Sequence, residues 1–216
     1  LRELAVAAAG DGDVIEIMGQ GPFEMAGIHW ADKSLTMRAG DGFDPVFAHK
    51  LELLQDAGRD PTLRSTLGIQ GGGLSLEGVQ IQIDPNQKSP SGWTAVSVDG
   101  GEFRAVNCSF TQSINAPVTG IELRGAAKAN LLNCMFAGFT RALDVVSGGD
   151  QELNLENCLV YSRIGLQATS PDPKQAFGLS ARFTSNTFHV GEVVNLSGLA
   201  GPADFVTEGN IFHASV

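Results

Sequence analysis

GVQI at 78–81, NCSF at 107–110, NCMF at 133–136, NCLV at 157–160, SNTF at 185–188 and GNIF at 209–212 are six versions of one tetrad. Their second residues are Val79, Cys108, Cys134, Cys158, Asn186 and Asn210, recurring at intervals of 29, 26, 24, 28 and 24 residues. A repeat of that length is a unit that cannot bury its apolar face alone and must stack on its neighbours. Working outward, each tetrad is preceded by two short alternating runs. The first carries Leu67/Ile69, Val96/Val98, Ile121/Leu123, Leu143/Val145, Ile164/Leu166 and Val194/Leu196. The second carries Leu74/Leu76, Phe103/Ala105, Ala129/Leu131, Leu153/Leu155, Ala181/Phe183 and Phe205/Thr207. Apolar residues at period two mark strands with one face turned inward. The tetrad's first residue is Gly78, Asn107, Asn133, Asn157, Ser185 or Gly209. Asn and Gly are the types that accept the left-handed backbone of a sharp bend.

No helical pattern separates these runs, so they are not βαβ units. Three strands per repeat describe an all-β chain wound as a single-stranded parallel solenoid of about seven coils. Each strand then pairs with its counterpart one coil away, at about 4.8 Å. Phe110 is expected on Phe136, and Asn107 on Asn133 on Asn157, their amides bonding along the axis. Leu1, Leu4, Ala5 and Ala8 fall at helical spacing and Gly10 stops the run. We therefore read one domain over 1–216: a capping helix at 1–10, irregular first coils at 11–64 and regular coils at 65–216. The Pro-rich stretches 84–93 and 170–179 are expected to project as loops.

The composition narrows the function. A formal charge of −10 argues against a nucleic-acid binder, which needs a basic surface to displace counterions. It also argues against electrostatic attachment to a membrane surface. It suits divalent cations or neutral sugars. No apolar run approaches the roughly 20 residues of a membrane span. The chain opens on Leu1 rather than Met and reads as part of a longer product. The three cysteines are odd in number and share one repeat position, which marks a stack of small buried thiols. A metal clip would need closer spacing than the 24 residues separating Cys134 from Cys158. GDGDVI at 10–15 leads into a strand where a dinucleotide fingerprint needs a helix. Asp11, Asp13, Asp41 and Asp44 sit in Gly-rich turns without EF-hand spacing. GxSxG, HExxH and P-loop patterns are absent from the sequence.

The asparagine ladder, the Cys and Phe stacks and the opening LRELAVAAAGDGDVIEI together resemble the right-handed parallel β-helix of the pectin-lyase-like superfamily. The opening resembles the amphipathic helix that caps the first coil of such proteins. SLTMRAGDGFDPVF at 34–47 and GGGLSLEGVQI at 71–81 resemble β-helix regions of large bacterial multidomain proteins, some with serine/threonine kinase domains. For such a module an extracytoplasmic or cell-surface setting is expected. The superfamily hosts lyases, hydrolases, tailspikes and adhesins, so the resemblance implies the fold and leaves the activity open.

The repeat also acts as a coordinate system for side chains pointing outward. On the first strand one outward column reads Gly68, Ser97, Glu122, Asp144, Gly165 and Asn195. The next reads Gln70, Asp99, Arg124, Val146, Gln167 and Ser197. Asp99, Glu122, Arg124 and Asp144 should cluster on adjacent coils. By the resemblance, lyases place calcium-binding carboxylates and an Arg or Lys base on this face, so calcium is the cation implied and Glu122, Asp144 and Arg124 are the catalytic candidates. Glu122 and Asp144 are also the one pair that would suit a hydrolase. The alternative is a cross-strand charge ladder balanced by Arg124. On the third strand the outward column reads Thr111, Ala137, Tyr161, His189 and His213. Tyr161 with His189 and His213 suits a sugar ring or a metal, although two histidines are too few for a zinc site. The alternative is an exposed polar-aromatic ladder.

Three functions follow: a non-catalytic module recognising carbohydrate or protein, a polysaccharide lyase or glycoside hydrolase acting on an acidic polysaccharide, and a structural spacer. The incomplete catalytic set favours the first. With no amphipathic element after the sixth tetrad, we expect either further coils or burial of the last coil in a dimer.

Overall fold

The computed structural model describes residues 2–25, 27–50, 64–84, 92–113, 117–146, 148–170, 177–197, 199 and 201–214. Its strands pair in parallel along three columns. The first face holds β3 (Ile28–Ala31), β6 (Ser65–Gln70), the starts of β9 (Trp93–Val106) and β11 (Val118–Leu132), and the ends of β12 (Met135–Val146), β14 (Leu159–Thr169) and β16 (Thr187–Asn195). The second holds β1 (Val14–Ile17), β4 (Ser34–Ala39), β7 (Gly73–Glu77), the ends of β9 and β11, β13 (Gln151–Glu156), β15 (Leu179–Thr184) and β17 (Ala203–Glu208). The third holds β2 (Phe23–Met25), β5 (Val46–Lys50), β8 (Gln80–Asp84), β10 (Ser109–Gln112), the starts of β12, β14 and β16, and β18 (Ile211–Ala214). This is the all-β parallel solenoid expected from the repeat, close to the coil count read there. A short helix, α1 (Arg2–Ala8), stands at its N-terminal end. Residues 51–63, 85–91 and 171–176, which include most of both Pro-rich stretches, lie outside the described residues.

The bends follow from residue type. Asn107 and Asn133 both hold φ near 55°, Asn157 51° and Ser185 57°, with Gly78 at 65° and Gly209 at 64°. A short polar side chain pays for the left-handed region by bonding locally. Here it bonds along the axis: Asn133 Nδ2 donates to Asn107 Oδ1 at 3.0 Å, and Asn157 Nδ2 to Asn133 Oδ1 at 2.7 Å. Inside, Phe110 stacks on Phe136 with ring centres 4.9 Å apart and planes 6° from parallel. Cys108, Cys134 and Cys158 are free and buried in one stack. Hydrogen bonding to the neighbouring thiols, together with burial, pushes the Cys134 thiol up, so it stays protonated. Asn186 continues this stack as a buried polar residue. Its amide donates to Leu155 O at 3.0 Å and its oxygen accepts from Cys158 N at 2.8 Å.

Two expectations are corrected. Leu143 pairs with Leu166, not Ile164, so Asp144 aligns with Gln167 and not Gly165. A register shift of one residue lies earlier on the same strand pair, between Ala137 and Phe139, at Gly138 with φ 87°. Helix α1 buries Val6 and leans Ala9 on the core, while Ala5 and Ala8 are exposed. Lys33 Nζ reaches its last turn and donates to Val6 O at 2.6 Å and Ala9 O at 2.9 Å. A cation there satisfies carbonyls that the helix leaves open. On β18, Phe212 in the inward column beside Phe188 is 49% exposed, and Ile211 in the outward column is 63% exposed. Among the described residues no helix is long and apolar enough to cross a membrane.

Candidate functional site

Two outward columns bring the candidate side chains together. On the first face Ser97, Glu122 and Asp144 are register partners on successive coils, and Asp99 pairs with Arg124. The four charged candidates therefore share one patch, as read from the sequence. The chemistry of the patch is set by ion pairing. Arg124 Nε donates to Glu122 Oε1 at 2.6 Å, and Arg141 Nη1 donates to Asp144 Oδ2 at 3.0 Å. Arg141 was not among the expected residues. The signal that marks it is a lone cation directly ahead of the run ALDVV. Asp144 is 4% exposed, and among the described residues its Oδ1 has no partner.

Burial raises the Asp144 carboxyl from 3.8 to about 6, against the pull of Arg141. The folded state then holds a proton that the unfolded chain releases near pH 3.8. Stability from this group is present at low pH and is lost as pH rises through about 6. Arg124 moves the opposite way from a base. The hydrogen bond to Glu122 raises it further above its ordinary value. Both carboxylates thus spend an oxygen on an arginine. Among the described residues no group of three or more His, Cys, Asp or Glu is arranged to hold a metal ion.

On the third face Tyr161, His189 and His213 are register partners on β14, β16 and β18. Tyr161 and His189 stack at 5.0 Å, His189 and His213 at 4.6 Å. Stacked rings turn their faces to each other and their edges outward. The edges present a phenol hydroxyl and imidazole nitrogens at the spacing of one coil. The outer face of Tyr161 stands over a small residue. Ala137, the register partner preceding Tyr161, carries only a methyl group, and Tyr161 is 54% exposed. The column therefore ends in a shelf, with one face of Tyr161 open above Ala137. Leu159, two residues earlier on the same strand, adds exposed apolar surface beside it.

A third feature was missed. On the second face a shallow groove of about 320 Å³ is lined by Ser34, Thr36, Gly73, Ser75, Glu102 and Arg104. Small residues on β4 and β7 make the depression. Arg104 on its wall donates from Nη1 to Glu77 Oε1 at 2.8 Å. No alternation pattern signals a groove, because it comes from side chains that are small rather than from any that are present. Asp11 and Asp13 act as turn residues: Ser34 N donates to Asp11 Oδ1 and Gly10 N to Asp13 Oδ2, each at 2.7 Å.

Comparison of the sequence with protein-family models finds no match, and comparison with curated proteins finds none either.

Proposed function

We propose that this chain is a non-catalytic recognition module of the pectin-lyase-like β-helix type, and that it binds carbohydrate along its third face. The observation that carries the reading is the open shelf of Tyr161 above Ala137, continued by the stacked edges of His189 and His213. An aromatic face offers apolar area to the C–H side of a sugar ring, and the ring edges offer hydrogen-bonding groups to its hydroxyls. The net charge of −10 favours neutral sugars, or acidic ones bridged by a cation such as calcium. The resemblance of 34–47 and 71–81 supports a place within a larger bacterial protein, in a surface setting, such as one carrying a kinase domain. The half-exposed Val206, Ile211 and Phe212 suit contact with a second copy through the last coil.

The test is binding to an array of oligosaccharides, followed by titration. Covering one aromatic face buries about half of a side chain and is worth about 0.8–1.5 kcal/mol. Tyr161→Ala should therefore weaken binding about four- to tenfold while the circular dichroism spectrum stays unchanged. Unaltered affinity in Tyr161→Ala would move the site elsewhere.

A second reading rests on Asp144. A buried carboxyl that titrates near 6 beside Glu122 has the character of a general acid. Against it, each carboxylate is tied to an arginine, and Arg124 is held protonated. Product release from polyuronates or neutral glycans that disappears in Asp144→Asn would establish this reading instead.

A further inference from the structure

β5 carries His49 into the solenoid interior. Register sets it between Met25 of β2 and Ile83 of β8, and it is 0% exposed. Its ring lies 4.8 Å from the ring of Trp93. Neither Nδ1 nor Nε2 has a hydrogen-bond partner among the described residues. The polar groups nearby are engaged with each other: Trp93 Nε1 donates to Thr66 Oγ1 at 3.4 Å, and His29 Nε2 lies 3.1 Å from Ser65 Oγ. The titratable group whose field reaches His49 is His29 on β3. Glu24 on β2 stands at the opposite parity, register partner to Ala48. A neutral imidazole in this place leaves nitrogens unsatisfied; an imidazolium adds an unpaired charge in an apolar interior.

The position along the solenoid gives this a consequence. Coils interact with their nearest neighbours alone, so an end coil opens without carrying the rest with it. β2, β3 and β5 belong to the first coils, under α1. We propose that His49 is an acid-sensitive latch: its protonation opens the N-terminal coils and exposes Phe23, Met25, Ile28 and Phe47, while the coils from β11 onward stay closed. This does not depend on the carbohydrate reading.

The sign follows from geometry and burial together. Burial, then His29, lowers the His49 imidazole from 6.5 to about 4. Above pH 6.5 both closed and opened states are neutral and the latch holds. As pH falls from 6.5 towards 4 the opened state takes up the proton first, and closure is progressively lost. Between pH 7.5 and 5 the opening equilibrium should rise about 30-fold. Asp144 runs in the other direction over the same range, so a global stability curve would blur the effect.

Hydrogen–deuterium exchange of the full chain at pH 7.5 and 5.0, corrected for intrinsic rates, resolves it. Amides of β2, β3 and β5 should lose about 30-fold more protection than those of β13 and β15, and His49→Leu should abolish that difference. A uniform change along the chain, or the same difference in His49→Leu, would overturn the proposal. If His49→Leu does not fold, the imidazole proton resonances of the wild-type chain decide. A His49 midpoint below about 5.5 supports the latch, and one at or above it overturns it.

Discussion

Asn133 shows how one residue does two jobs. It takes a backbone conformation that most side chains avoid, and its amide both donates to Asn107 and accepts from Asn157. Asn133→Ala keeps the strained φ and loses both bonds, at a cost of about 2–3 kcal/mol. Asn133→Gly relieves the strain and loses the bonds alone, at about 1–2 kcal/mol. Urea unfolding of both variants should show that order; equal losses would mean that the ladder, not the bend, matters. The role of Asn133 was legible in the sequence because few residue types accept that bend, and they recur at a fixed place. Lys33 was not legible. Its capping of α1 depends on an approach across more than 20 residues, and a lone lysine beside a turn looks like any other. His49 was missed for a related reason: nothing in the local sequence marks it as buried without partners.

At the level of the strand, alternation settles which side chains face inward but leaves their partners open. A slip of one residue flips every side chain to the other face, whereas a slip of two leaves the faces as they were. That is why the second-strand column read from the sequence matches the structure throughout, and why Ile164 was placed where Leu166 belongs. Ile164 and Leu166 share one parity, so alternation alone does not choose between them. Stacking in register also predicts how much each phenylalanine contributes. Phe136 is fully buried against Phe110, so Phe136→Ala should cost about 3–5 kcal/mol. Phe212 occupies the same column on β18 and is 49% exposed, so Phe212→Ala should cost well under half of that. Denaturant unfolding gives both values, and a Phe212 loss as large as that of Phe136 would show the last coil to be covered in solution.

For the whole molecule, the solenoid turns a one-dimensional repeat into three flat faces with different chemistry. The first face concentrates carboxylates and arginines that neutralise each other. The second bears a small polar groove. The third bears a ring ladder with one face open. Which residues share a face was readable from the period alone. How tightly Glu122 and Asp144 are tied to Arg124 and Arg141 was not, because rotamers and burial decide that. In the proposed function, recognition happens on the third face rather than at the carboxylates. The most direct measurement is nuclear magnetic resonance of the folded chain titrated with the best oligosaccharide from the array. The ring resonances of Tyr161, His189 and His213 should shift and saturate together, while the signals of Glu122 and Asp144 stay in place. Saturable shifts at Glu122 and Asp144 with a silent Tyr161 would contradict it.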